Sequence, residues 1–398
     1  MESVFENKVD CCGCAACKQI CPKHCIEMVE DEYGYIYPQI DQSACIDCKA
    51  CQNVCPLKND VEKNEPIDVL AYLHPDEDYR LKSASSGVFE TICRAFVGDD
   101  KYVVFGSEID ENLIVHHSSA TNMDELQKLK KSKYLQSRID TQFVEIREAL
   151  KQGKKVVFTG TPCQNYALKK FLKKDYDNLL LVDFVCHGVP NQKIFLSYIN
   201  YLEKKEKSRV VKYNFRNKRK FGDRWTNLGI SVEFENGKKI ESEANDDLYM
   251  RGFLGGIFNR ESCYECKFAT TGRVSDITMG DFWGIGEVYP ELDEVYTNGT
   301  SLALVNTQKG AKVFEKISRK DLYRTELENA VKINGQLKYP QHMSPRRDLF
   351  LKSFLQGKDY KKCMKKACPE LFKFKKEDIY ELRAYIWLSS LKDKLLKR

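Results

Sequence analysis

Two cysteine runs near the amino terminus have spacings that bind iron. Cys11-x2-Cys14-x2-Cys17-x3-Cys21-Pro22 is followed by Cys45-x2-Cys48-x2-Cys51-x3-Cys55-Pro56. Three thiols on a tight loop reach three irons of one [4Fe–4S] cube, and the fourth, held by the proline after it, projects toward the other cube. The spacing therefore assigns Cys11, Cys14, Cys17 and Cys55 to one cluster, and Cys45, Cys48, Cys51 and Cys21 to a second. Zinc sites favour separated ligand pairs over such three-plus-one runs, which makes zinc the weaker reading. Eight thiolates in so short a segment repel one another and leave little apolar surface for a core, so the clusters are expected to be structural as well as redox-active. Cys12 and Cys25 fall outside the pattern and read as small buried side chains or spare thiols.

Four more cysteines sit where α/β proteins place ligand-binding groups. Val156-Val-Phe-Thr-Gly160-Thr-Pro-Cys163-Gln runs from strand through turn into helix, and Val182-Asp-Phe-Val-Cys186-His-Gly-Val-Pro190 ends the next strand. Cys263-Tyr-Glu-Cys266 adds a C-x-x-C pair. Together these thiols could hold a third [4Fe–4S] cluster or a zinc ion. Alternatively, Cys163 and Cys186 are buried strand ends and Cys263 and Cys266 a separate pair, and spacing alone leaves the readings level. Ser83-Ala-Ser-Ser-Gly87-Val-Phe89 precedes a helical pattern, and small residues there leave backbone N–H groups free for a phosphate. Any serine-rich turn before a helix looks alike, so this signal alone is weak.

The elements that must carry these residues alternate. Val69–Leu73, Tyr102–Phe105, Val156–Phe158 and Leu179–Val185 read as buried strands, and Asp124–Leu129, Thr141–Lys151, Tyr166–Lys173 and Gln192–Lys204 as helices. Such alternation implies α/β layers with some parallel pairing. Val210–Phe215, Ile230–Phe234 and Lys239–Glu243 read as antiparallel, because Asn236-Gly237 is a hairpin turn signal. The expected architecture is mixed, α+β and α/β: a small ferredoxin-like 2[4Fe–4S] domain at 1–58, a polar linker at 59–66, and a larger mixed α/β part. That part divides into regions 67–155 and 156–340, followed by a basic helical tail at 341–398. Within the tail, Asp378–Lys397 places Tyr380, Tyr385, Ile386, Leu388, Leu391 and Leu395 near one helix face, which reads as packing on the body rather than contact with a membrane.

The 398 residues exceed what one core organises, and the 42% apolar content is ordinary. The formal charge of +6 comes from 64 basic and 58 acidic residues, a mixed surface that gives no reason to expect nucleic acid. No apolar run approaches the roughly 20 residues of a spanning helix, and Met1–Asp10 is too polar for a signal peptide. Seventeen cysteines without export features point to metal thiolates in the reducing cytoplasm.

Five motifs in order resemble one family. They are Ser85-Ser-Gly-Val-Phe89, Ser132-Lys-Tyr-Leu-Gln-Ser137, Phe158-Thr-Gly-Thr-Pro-Cys-Gln164, Val185-Cys-His-Gly-Val-Pro190 and Asp276-Ile-Thr-Met-Gly-Asp-Phe-Trp283. They look like the beta subunit of coenzyme F420 hydrogenase/dehydrogenase, from about residue 67 to about 340. The resemblance implies a flavoprotein that binds FAD and relays electrons between iron–sulfur clusters and a two-electron carrier such as F420. It places Ser85, Ser86 and Gly87 against the flavin, with Ser132, Lys133 and Tyr134 in the same cavity and Thr159, Gly160 and Thr161 as further contributors. It also raises the third-cluster reading of Cys163, Cys186, Cys263 and Cys266. Where the family has two glycines before Val-Phe, this chain has Ser86 then Gly87, and a side chain at a close-approach position would alter flavin binding. Lys133 has the bland alternative of a solvated lysine, Trp283 that of a core residue, and His187 that of a structural histidine.

The expected function is an oxidoreductase passing electrons between a ferredoxin-like carrier or redox partner subunit and a small-molecule acceptor, coenzyme F420 or another, through the clusters and FAD. The alternative is a non-catalytic subunit that wires a partner enzyme.

Overall fold

The computed structural model describes residues 3–59, 62–221, 224–226, 228–290 and 299–372, so the helix expected over Asp378–Lys397 lies outside the described residues. The head carries the hairpin β1 (Ile26–Glu30) and β2 (Ile36–Ile40). The body contributes β3 (Asp68–Tyr72), β4 (Tyr102–Ile109), β5 (Val115–Ala120), β6 (Lys155–Thr159) and β7 (Leu179–Phe184). Next come β8 (Val210–Asn214), β9 (Arg219–Phe221), β10 (Arg224–Thr226), β11 (Gly229–Phe234) and β12 (Lys239–Glu243). The last are β13 (Ile277–Asp281), β14 (Ser301–Val305) and β15 (Leu322–Arg324).

Eight of these strands form one mixed sheet in the order β15-β3-β14-β13-β7-β6-β4-β5. Its centre is parallel, with β4, β6, β7 and β13 running the same way. Of these, β4, β6 and β7 carry continuous apolar runs because helices cover both faces. Strands from 67–155 and from 156–340 interleave in this sheet, so its two sequence regions share one core. The expected antiparallel block is a three-stranded sheet, β12-β11-β8, closed at Asn236-Gly237, where Gly237 has φ +82°. Beneath it lies a second core, to which the helix Gln192–Glu206 brings Phe195 and Tyr198 and the helix Tyr360–Ala367 brings Cys363 and Met364.

The head does not stand on a core of its own. Its Val4, Ile26, Ile40 and Val54 join Phe143, Phe158 and Phe171 of the body in one apolar cluster. A segment dense in thiols has too little apolar surface to fold alone, and it uses the faces of the helices Gln142–Lys151 and Pro162–Leu172. The polar stretch expected as a linker is also tied down. Asn64 N donates to Arg273 O at 2.7 Å, and Arg273 N returns a bond to Asn64 O at 2.8 Å.

Candidate functional site: two thiol sets in the head, a third in the body, and a cavity behind it

The fourth cysteine of each head run turns to the other run. Cys55 sits among Cys11, Cys14 and Cys17, while Cys21 faces Cys51 and lines a cleft with Cys45 and Cys48. The short helices that carry these thiols begin at left-handed residues, Ala15 with φ 58° and Lys49 with φ 59°, so each loop curls around a space. All seventeen cysteines are unbridged. Among the described residues no three candidate ligands converge as a single metal ion requires.

Arg260 seats the first set. Fully buried, it donates from Nε to Cys11 O at 2.6 Å, from Nη2 to Ile36 O at 2.8 Å and from Nη1 to Gln136 Oε1 at 3.1 Å, and its guanidinium lies 4.3 Å from the centre of the Tyr37 ring. Its Nη2 also lies 3.5 Å from Cys11 Sγ, and a buried cation there would offset negative charge on the thiols when they bind iron. Nothing in the sequence marked Arg260, and although Gln136 falls in the Ser132–Ser137 motif, no local pattern ties either residue to cysteines so far away along the chain.

The third set assembles at the ends of two parallel strands. Cys163 follows Pro162 in the first turn of the helix Pro162–Leu172, after β6, and Cys186 follows β7. The T-P-C-Q motif fixes that turn. Thr161 Oγ1 accepts from Gln164 N, Gln164 Oε1 accepts from Thr161 N at 2.9 Å, and Pro162 pre-sets the backbone. Cys263 and Cys266 complete the lining of a small cleft with Cys163 and Cys186. Gly188, at φ +96°, lets the chain pass there, since a Cβ would come within 3.1 Å of the Cys263 Cβ. Burial pushes the Cys263 thiol up to about 12 and that of Cys266 to about 11, and it also raises Cys186. Three thiols held protonated away from water are a donor set that a metal would deprotonate.

Cys12, expected as a spare thiol, lines this cleft as well. Its side chain lies beside those of Cys14 and Cys163, between the first head set and the body set. The one signal for it in the sequence was its place beside Cys11. Cys25 has a similar position at the second head set, its Sγ 3.4 Å from that of Cys21. Cys93, Cys363 and Cys368 are core residues, at 0%, 0% and 3% exposure.

Beyond the third set lies a cavity of about 340 Å³. It opens at the carboxyl ends of β6, β7 and β13, the usual ligand position in an open α/β sheet. Ser85, Gly87, Ser132, Lys133, Tyr134, Thr159, Gly160 and Thr161 all line it, and so does Trp283. Cys186 lines both this cavity and the thiol cleft, so the two share a wall.

Ser86 is turned away from the cavity. Its Oγ accepts from His74 N at 2.8 Å, and its own N–H donates to Ser301 Oγ at 2.9 Å. The serine that departs from the double-glycine pattern therefore leaves the cavity wall clear. Gly87 is the close-approach position, with φ +87°, and a Cβ there would fall 2.3 Å from Tyr79 Cε1. It opens the helix Val88–Val97, whose first N–H groups are the anion-binding kind.

Cationic groups gather on the same side. Lys133 Nζ donates to Ser107 O and Lys130 O, both at 2.7 Å, and burial pulls its ammonium down to about 7. Arg216 forks onto Asp281 at 2.8 and 3.0 Å, lies 5.9 Å from the Trp283 ring, and keeps a buried Nε with no partner among the described residues. His117 is buried and stays neutral, because burial holds its pKa down to about 4, and its Nδ1 and Nε2 bond Ser137 Oγ at 2.7 Å and Thr159 O at 3.1 Å. His187 also lines the cavity.

The paired cysteine runs and the body that receives them define an iron–sulfur electron-transfer protein. Residues 10–59 match the 4Fe-4S dicluster domain, which supports two [4Fe–4S] clusters in the head. Residues 153–330 match the family model for the C-terminal part of the beta subunit of coenzyme F420 hydrogenase/dehydrogenase, which bears out the family resemblance and contains the motifs at 158–164, 185–190 and 276–283. Among solved structures, a chain of the F420-reducing [NiFe] hydrogenase complex from Methanosarcina barkeri is similar at 16% identity, over 77% of this chain and 93% of that one, with a TM-score of 0.43. No curated protein matches this chain. No described helix is long and apolar enough to cross a membrane.

Proposed function

We propose that the protein is an iron–sulfur flavoprotein oxidoreductase that relays electrons between a ferredoxin-like carrier and a small two-electron acceptor, coenzyme F420 or another compound. In this reading the eight head cysteines hold two cubes, Cys163, Cys186, Cys263 and Cys266 hold a third, and the cavity takes FAD. The observation that carries it is contiguity: Cys12 touches both Cys14 and Cys163, and Cys186 lines both the third thiol set and the cavity. Sites for one-electron and two-electron chemistry thus lie wall to wall from head to cavity.

The cavity residues suit a dinucleotide. Its volume falls in the range of about 300–1,000 Å³ typical of small-molecule sites. The helix Val88–Val97, opened by Gly87, turns its first N–H groups to suit phosphate oxygens, and the unpartnered Nε of Arg216 offers a further donor. Trp283 offers a flat apolar face. Bound there, flavin would exchange single electrons on one side and a hydride on the other. Neutral His117 holds Thr159 O and Ser137 Oγ in place and so fixes the cavity wall.

The test is anaerobic purification with iron, sulfide and flavin measured together. The expected protein is yellow-brown, with roughly 12 irons per chain, one flavin, and oxidation of a reduced carrier without any partner subunit. Eight irons or fewer with no flavin would leave only the head clusters and overturn the reading.

A further inference from the structure

The two thiol sets of the head differ in access to solvent. Cys14 and Cys17 are buried under the body and Arg260, whereas Cys48 of the second set is exposed and its neighbour Ile46 is 57% exposed. An apolar side chain left in water beside a redox-ligand position is a small, dry contact point at the outer end of the series of thiol sets.

Lysines surround that point. Lys23 and Lys49 line the second thiol cleft from the head. From the body, the end of the helix Pro162–Leu172 brings Lys169, Lys170, Lys173 and Lys174 into a surface groove that Cys48 itself lines. Lys169 lies 3.5 Å from Asp175, the one acid of the groove, and Lys174 lies 4.7 Å from the centre of the Tyr176 ring. Lys170 and Lys173 have no carboxylate within salt-bridge distance among the described residues. Six lysines line the two clefts against the single acid Asp175, a local excess of positive charge that a thiolate-bound cube only partly offsets.

From this arrangement we infer that the face around Ile46 and Cys48 docks a small acidic electron-carrier protein. The inference rests on the head holding two clusters. Ile46 supplies the apolar centre and the lysines the charged rim, which is the layout of a transient interface of less than about 1,200 Å². Opposite charge raises the encounter rate without binding so tightly that the carrier cannot leave. Each encounter moves one electron, oxidising the reduced carrier and reducing the head, or the reverse, with no bond formed or broken.

The test uses full-length holoprotein under anaerobic conditions and an acidic bacterial 2[4Fe–4S] ferredoxin as the carrier. Stopped-flow reduction by the ferredoxin should slow steeply as salt is raised, as steered association does. The variant Lys170→Glu/Lys173→Glu/Lys174→Glu should lose at least about tenfold in that rate at low salt. Its iron content, and the extent to which reduced methyl viologen, a small cation, reduces its clusters, should match the parent. A salt-independent ferredoxin rate in the parent, or equal rates in parent and variant, would overturn the docking site. Stronger binding of random duplex DNA than of ferredoxin would overturn it too. If the triple variant fails to fold, Lys170→Glu alone and the parent's salt dependence decide. Failure of the cluster reading looks different: reduced viologen would then give the parent no cluster signal by electron paramagnetic resonance.

Discussion

The thiol of Cys12 lies beside that of Cys163 in one cleft, which brings a loop of the head against the first turn of the helix Pro162–Leu172. Potentials of iron–sulfur clusters depend on hydrogen bonds to their sulfurs. Cys12 is not one of the four thiols that the spacing gives to the first cube, yet it touches a member of that set and a member of the third. Replacing it with Ala should leave the iron content unchanged and lower the midpoint potential of one cluster, because a donor that favours the reduced form is gone. Redox titration followed by electron paramagnetic resonance checks this. Loss of about four irons would instead make Cys12 a ligand, and an unchanged titration would reduce it to packing.

Cys14 and Cys266 separate the head from the third site. Cys14→Ala should bleach one head cube and weaken the fold, since the head has little besides metal and a borrowed apolar face to hold it. Cys266→Ala should remove about four irons while the chain stays folded, because its neighbours Tyr166 and Phe268 keep their own packing. Iron, sulfide and circular dichroism measured on both variants decide the matter. A Cys266→Ala protein with the parent's full iron content would return the four body cysteines to ordinary buried thiols.

Arg260 is the bolt between head and body. Substituting Met keeps much of the volume but leaves the carbonyls of Cys11 and Ile36 and the Gln136 amide oxygen without their donor. Hydrogen bonds to a charged group contribute roughly 1.5–3 kcal/mol each, and losing several together should cost about 3–5 kcal/mol. Anaerobic urea unfolding reads this directly, and the head should lose iron at lower urea than the parent. A loss under about 1 kcal/mol would mean that the apolar face alone seats the head.

What the sequence showed and what it hid follow from the reach of each interaction. The cysteine spacing is local, so the eight head thiols and their crossover could be read directly. The central strands were legible because β6 and β7 are buried on both faces and appear as the apolar runs Val156–Phe158 and Leu179–Val182. The edge strand β5, Val115-His-His-Ser-Ser-Ala120, has too few apolar residues to announce itself, and β13 was visible only as a motif. Residues 59–66 read as a free linker because the pairing of Asn64 with Arg273 spans a distance in sequence that no local pattern encodes. Cys12, Arg216 and Arg260 were missed for the same reason: their partners lie in other elements.

The buried imidazole of His117 ties stability to pH. Its neighbours fix the neutral form, since Nε2 donates to Thr159 O and Nδ1 accepts from Ser137 Oγ. Burial holds the folded pKa down to about 4, against an ordinary 6.5, at a side chain only 3% exposed. Between those values the unfolded chain binds a proton that the folded chain refuses, so stability is complete above pH 6.5 and is lost as pH falls toward 4. Two and a half pKa units correspond to about 3 kcal/mol in all, of which about 2 should be gone by pH 5. His117→Gln keeps a hydrogen-bonding side chain but cannot titrate, so its urea midpoint should fall less than the parent's between pH 6.5 and 5. Acid damage to the clusters is common to both proteins and cancels in that difference. Equal falls in the two would show that His117 takes up its proton without unfolding the cavity wall.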